Sequence, residues 1–192
     1  MDKRFENITV VGRLCYIFMC IERYLLAIYP GRDWTLVARK MWQCPVAEKW
    51  WDSEWGAYYR ITPESIIKFK YDDGHWNPIT REEYEQAAAL YAGLTDGKPE
   101  DEICHVLRIP FDMFNACDGH DYDNEAAEEI TISAIGEIEG ILKVHDIPLP
   151  DLSLVAEYVP KWDGDGEFFD RWGMPTLGTE KLSIILNGGK SE

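Results

Sequence analysis

From Ile8 to Tyr29 the chain is apolar on almost every side of one helical turn after another. Ile8, Val11, Leu14, Ile17, Phe18, Ile21, Leu25 and Ile28 leave no polar stripe, and Pro30-Gly31 ends the run. A helix with no polar face must be covered all round, so the rest of the chain is expected to wrap around it. Its charges, Arg13, Glu22 and Arg23, must then reach the ends of the packing or find partners. The uninterrupted apolar run, Leu14 to Ile21, is eight residues between Arg13 and Glu22. That is far short of the roughly 20 needed to span a bilayer. A buried central helix is therefore the expectation, and no membrane partner.

The remaining segments read as helices arranged around that centre. Asp33 is a plausible N-cap for a helix over 34–43, stopped before Pro45. A third helix is expected over 46–60. Thr62-Pro63 opens a short one over 63–70, with Pro at the first helical position. Thr80 and Glu83 form a capping box for a helix over 81–92, ended by Gly93. Pro99 opens a helix over 99–108, which Ile109-Pro110 is expected to break. A polar loop, Asp118 to Asn124, leads to a strong helix over 124–144. A short helix is possible over 151–158. Residues 159–192 form an irregular tail, in which Leu182–Leu186 reads equally as strand or helix. The fold class expected is mostly α: a multi-helix array with an irregular C-terminal segment, as a single domain over residues 1–192.

Charge is the second constraint. Residues 1–96 hold 12 Lys/Arg against 14 Asp/Glu, and residues 97–192 hold 7 against 21, for a net charge of −16. This argues against phosphate-contacting nucleic-acid binding and against anionic membranes, both of which need a basic footprint. The excess concentrates between Arg108 and Lys143, where nine carboxylates stand with no Lys or Arg: Asp112, Asp118, Asp121, Asp123, Glu125, Glu128, Glu129, Glu137 and Glu139. On a helix at about 100° per residue, Ala127, Ile130, Ala134, Ile138 and Ile141 share one side. Glu125, Glu128, Glu129 and Glu139 share the other, around Ile132, with Gly136 and Gly140 beside it. An acidic ring around one apolar anchor has the layout of a binding face. A solvated charged face is the simpler alternative.

Sites for chemistry are harder to find. Asp118 to Asp123 and Asp163 to Glu167 look like cation loops, but the sixth position that an EF-hand needs as Gly is Ala126 counted from Asp121 and Phe168 counted from Asp163. No metal site is assigned. His75, His105, His120 and His145 are scattered, and no motif of a metalloprotease, serine hydrolase, P-loop or dinucleotide fold occurs. Cys104-His105 are neighbours in sequence only. The five cysteines, Cys15, Cys20, Cys44, Cys104 and Cys117, form no CxxC pair and read as reduced thiols of a cytoplasmic protein. The first residues lack the pattern of a signal peptide. No catalytic residue and no cofactor is assigned, and the balance lies against an enzyme. Six of the eight tryptophans fall between residues 34 and 76. Trp42, Trp51, Trp55 and Trp76 are the candidate contacts should this aromatic belt line a ligand site, although Trp is more often core.

In overall character the chain resembles the immunity proteins that accompany bacterial polymorphic toxins. The Trp-rich stretch Trp42 to Trp55, the acidic helix Asp123 to Glu139, and the ending Trp162 to Gly173 carry the resemblance. It implies a stoichiometric inhibitor that binds a cognate toxin, often a basic nuclease, and it fixes no binding residue by position. The expected function is thus a non-catalytic binding protein for a basic partner such as a toxin domain, through Glu125, Glu128, Glu129, Ile132 and Glu139. Two alternatives stand beside it: a small-ligand binder or enzyme using region 34–76, and a structural or regulatory subunit of an oligomer.

Overall fold

The computed structural model describes residues 3–46, 53–72, 77–118, 124–158 and 178–188, with the backbone alone at residues 46, 53, 118, 124 and 125. Helix α1, Val10–Ile28, runs through the middle. It begins where Thr9 Oγ1 accepts from the Gly12 N–H at 3.2 Å, and Thr9 N–H is itself held by the Tyr158 carbonyl at 2.8 Å. Gly12 has a packing reason: a Cβ there would lie 2.6 Å from Tyr158 Cβ. Every residue from Val10 to Glu22 is buried, as the all-round apolar pattern requires. Each fully buried Ile, Leu or Phe on it contributes roughly 1.5–3 kcal/mol relative to exposure.

Around α1 lie α2 (Thr35–Gln43), α3 (Ser53–Arg60), α4 (Pro63–Lys68), α5 (Arg81–Tyr91), α6 (Glu102–Asp118) and α7 (Asn124–Val144). Among the described residues there are no strands, and the fold is mostly α. The most extensive packing is between α1 and α7, followed by α6 on α7. Among the other helices, α2 lies on α1, α3 and α5, and α4 on α5 and α6. The capping box of α5 forms as expected, with Thr80 Oγ1 accepting from Glu83 N–H and Glu83 Oε2 accepting from Thr80 N–H. Short 3-10 turns occupy Lys3–Phe5, Cys44–Val46, Leu152–Val155 and Thr179–Leu182.

Three expectations are corrected. Helix α6 does not stop at Ile109-Pro110 but continues through Pro110 to Asp118, and it starts at Glu102 rather than Pro99. A mid-helix proline removes one backbone hydrogen bond and crowds the preceding turn. The carbonyl deprived of its helical donor is that of buried Val106; the next one, of Leu107, accepts from the Tyr58 hydroxyl at 2.6 Å. Second, Leu182–Leu186 is neither strand nor α-helix; it leaves a 3-10 turn and passes into further turns. Third, the possible helix over 151–158 is a single 3-10 turn, which Asp151 caps through Ser153 N–H. Of the helix expected over 46–60, the described part begins at Ser53.

Two charges of α1 do find partners. Arg13 donates to Thr131 Oγ1 at 3.0 Å and to the Phe5 carbonyl at 2.8 Å. Glu22 is fully buried, and four donors converge on its carboxylate: Trp42 Nε1 at 2.8 Å, the Ser183 hydroxyl, and the Ile184 and Ile185 N–H groups at 2.7 and 3.3 Å. Arg23 is half-buried. The described part of the C-terminal segment is thus fastened to the central helix by a carboxylate.

Candidate functional site

Helices α6 and α7 form an antiparallel hairpin whose outer surface carries the acidic excess. Its register is visible in two links. Glu102 at the start of α6 meets His145 just past α7, with Oε1 2.7 Å from Nε2, and His105 meets Glu137 with Nε2 2.9 Å from Oε1. Tyr24 of α1 also donates to Glu102 Oε1 at 2.8 Å. The hairpin contains two Lys/Arg, Arg108 and Lys143. Arg108 is already bound, to Asp112 at 2.8 Å and Glu64 at 3.4 Å. Glu64, held chiefly by its hydrogen bond from Lys68 and also by Arg108, lies below its ordinary carboxylate value.

The buried side of α7 is wider than the projection suggests. It comprises Ala127, Thr131, Ala134, Ile135, Ile138 and Leu142. Thr131 can sit there because its hydroxyl donates to the Ala127 carbonyl at 2.8 Å while accepting from Arg13. This turns the exposed side toward Glu129, Ser133, Gly136 and Gly140.

The predicted contact residues therefore separate. Glu129 is exposed and Glu128 half-buried, while the Glu125 side chain lies outside the described residues. Ile132 is half-buried with its inner side on the core, so it is a shoulder of the face and not a fully exposed anchor. Glu139 is committed elsewhere: it takes both Arg4 guanidinium nitrogens, at 3.0 and 2.8 Å, and the Tyr16 hydroxyl at 2.8 Å. Near Glu139 the surface hollows into a groove of about 460 Å³ with Gly136 and Gly140 on one side and Ile147, Pro148 and Leu149 on the other. Lys143 stands at its edge. Lys143 ends the acidic stretch in the sequence, and the helical period that places Ile132 places Lys143 on the same face.

The described tryptophans of the aromatic belt, Trp34, Trp42 and Trp55, are core. Trp42 is 2% exposed, bonded to Glu22, and meets Phe18 edge-on at 5.5 Å. Trp55 is 2% exposed and stacks on Phe114 at 4.5 Å. Neither side chain is open to a ligand. Trp51 and Trp76 lie outside the described residues, as do the loops Gly119–Asp123 and Asp163–Glu167. Among the described residues, no three His, Cys, Asp or Glu side chains converge as metal ligands do, and no helix is long and apolar enough to cross a membrane.

The five cysteines are free and buried. Burial pushes the Cys117 thiol up to about 11 and raises Cys104 as well. The thiolate is the reactive form, so both are poor nucleophiles. Cys104 contacts Thr95 Oγ1 at 3.4 Å, while the neighbouring His105 ring is engaged by Glu137. The sequence neighbours form no dyad.

Comparison with protein-family models, with characterised proteins and with solved structures finds no match to this chain.

Proposed function

We propose that this chain is a non-catalytic binding protein whose α6–α7 hairpin receives a basic protein partner. The observation that carries the reading is the excess of carboxylates over Lys and Arg within the hairpin's own sequence. Of its two cations, Arg108 is consumed by Glu64 and Asp112, and Lys143 lies at the far end. Glu129 stands exposed without a counter-ion among the described residues, with Glu137 exposed nearby and bound to His105 alone. A face of one sign raises the local concentration of an oppositely charged partner and speeds encounter. Half-buried Ile132 supplies an apolar shoulder beside Glu128 and Glu129.

The resemblance to immunity proteins of polymorphic toxins suggests the kind of partner, a basic toxin domain inhibited one to one. The test starts from the product of the neighbouring coding sequence, expressed with this chain and assayed for complex formation. Replacing Glu125, Glu128 and Glu129 by Lys is expected to slow association by about tenfold or more and to flatten its dependence on salt. Association at an unchanged rate, with unchanged salt dependence, rules the reading out.

A further inference from the structure

Glu129 and Lys143 carry opposite charges on the exposed side of α7, and neither has an ion-pair partner among the described residues. They cannot satisfy one another, because their spacing amounts to about 21 Å along a helix that rises ~1.5 Å per residue. Glu129, Ile132, Gly136, Gly140 and Lys143 fall in one stripe about 80° wide at ~100° per residue. The stripe is symmetric about Gly136. Reversing it there exchanges Glu129 with Lys143 and Ile132 with Gly140.

From this the geometry points to a homodimer: we propose that α7 packs antiparallel on α7 of a second copy, about a two-fold axis at Gly136. One register satisfies both charge and size. Glu129 of each copy meets Lys143 of the other, twice, and Ile132 of each copy enters the groove beside Gly140 of the other. That groove, about 460 Å³, is walled by Ile147 and by Leu149, which is 41% exposed. Gly136 and Gly140 have no packing reason among the described residues, since a Cβ at either would meet nothing within 4 Å. Between two copies they let the helix backbones come close. A self-complementary patch of this kind is what a closed two-fold interface requires. A basic partner, by contrast, satisfies Glu129 but opposes Lys143. Of the two carboxylates at the groove, Glu139 is neutralised by Arg4, and Asp146 is exposed three residues beyond Lys143.

One helix pair makes a small interface, below ~1,200 Å², and two chains of net charge −16 repel. The dimer is therefore weak. The inference stands apart from the basic-partner reading. Because both use Glu129 and Ile132, a second copy and a basic partner exclude one another.

Sedimentation equilibrium of the full chain tests it. The expected mass rises with concentration from 22.2 kDa toward twice that value. Glu129→Lys and Lys143→Glu should each weaken the dimer by about tenfold, since each places two like-charged contacts across the axis. The Glu129→Lys/Lys143→Glu double variant should recover it. Glu129→Lys lowers the overall negative charge, so general repulsion predicts the opposite result. Gly140→Leu, filling the groove on an exposed helix face, should abolish the dimer without lowering thermal stability. A monomer up to about 500 μM, indifference to the single reversals, or no recovery in the double variant would each overturn the proposal. Lys143→Glu also separates the two readings: it removes the dimer but makes the hairpin more acidic, so retention on immobilised poly-L-lysine should not fall.

Discussion

Glu22 decides how the C-terminal segment joins the rest. Burial raises its carboxyl above the ordinary value of 4.5, against the donors from Ser183, Trp42, Ile185 and Ile184 that pull it down. A carboxyl with a raised folded value binds its proton more tightly in the folded chain. Its contribution to stability is therefore greatest below 4.5 and is lost as pH climbs toward the raised value. Glu22→Gln removes that dependence but introduces an N–H where four donors already converge. Ser183 can turn to accept from the new amide, whereas Trp42 Nε1 cannot and loses its acceptor. The variant is expected to be destabilised by about 1–3 kcal/mol at pH 7. The deficit should shrink as pH rises through the interval in which wild type alone loses stability. Urea titrations of both proteins from pH 4.5 to 8 measure the difference, in which oppositely titrating groups such as Glu64 and Glu83 cancel. A gap that stays constant or widens with pH would contradict the assignment. From the sequence one could state that Glu22 needs partners, but not that two backbone N–H groups some 160 residues away supply them. No local signal encodes that pairing.

At the scale of elements, local rules were most readable where the cause is local. The Thr80/Glu83 box and the Thr62-Pro63 start both act within one turn, and α5 and α4 begin where they indicate. Pro110 misled because the packing that surrounds this part of α6, with Ile103, Val106, Leu107 and Ile109 buried, is tertiary. The phase of α7 was half legible. Ala127, Ala134 and Ile138 are buried as the period requires, but Thr131 turns inward with its hydroxyl bonded, and that swings the face by roughly one residue. Ile132 thereby moves from the centre of the predicted ring to its shoulder. The two glycines of α7 give a prediction at this scale. Each weakens a helix interior by about 1 kcal/mol relative to Ala, and added methyl groups at Gly136 and Gly140 would meet nothing. Gly136→Ala and Gly140→Ala should each stabilise the dilute chain by about 0.5–1 kcal/mol. Denaturant midpoints at low micromolar concentration report this, and a loss of stability would mean that the glycines serve a contact within the chain.

The central helix and the acidic hairpin come from halves of the chain that differ sharply in charge. The buried central helix comes from residues near the start, where charges nearly balance, and the outer hairpin from the half that holds 21 acids against 7 bases. Self-repulsion among the carboxylates of that acidic half opposes folding, and mobile ions reduce it most where the charges are exposed. The exposed ion pairs that salt would also weaken, such as Lys98–Asp96 and Lys181–Glu157, are worth little each. Relief of repulsion should therefore dominate. Raising sodium chloride from about 20 mM, where the screening length is above ~20 Å, to 300 mM, where it falls below ~8 Å, is expected to stabilise the chain by about 1 kcal/mol. For a chain of this length that corresponds to a Tm increase of about 2–4 °C. The same change should weaken capture by a basic partner, because attraction between unlike surfaces is screened by the same ions. Opposite responses to one variable, read by calorimetry on the chain alone and by binding on the complex, attribute both to the acidic hairpin. A Tm that is flat or falls over this range would show that the carboxylates are locally compensated, and the hairpin would then lose the imbalance on which partner recognition depends.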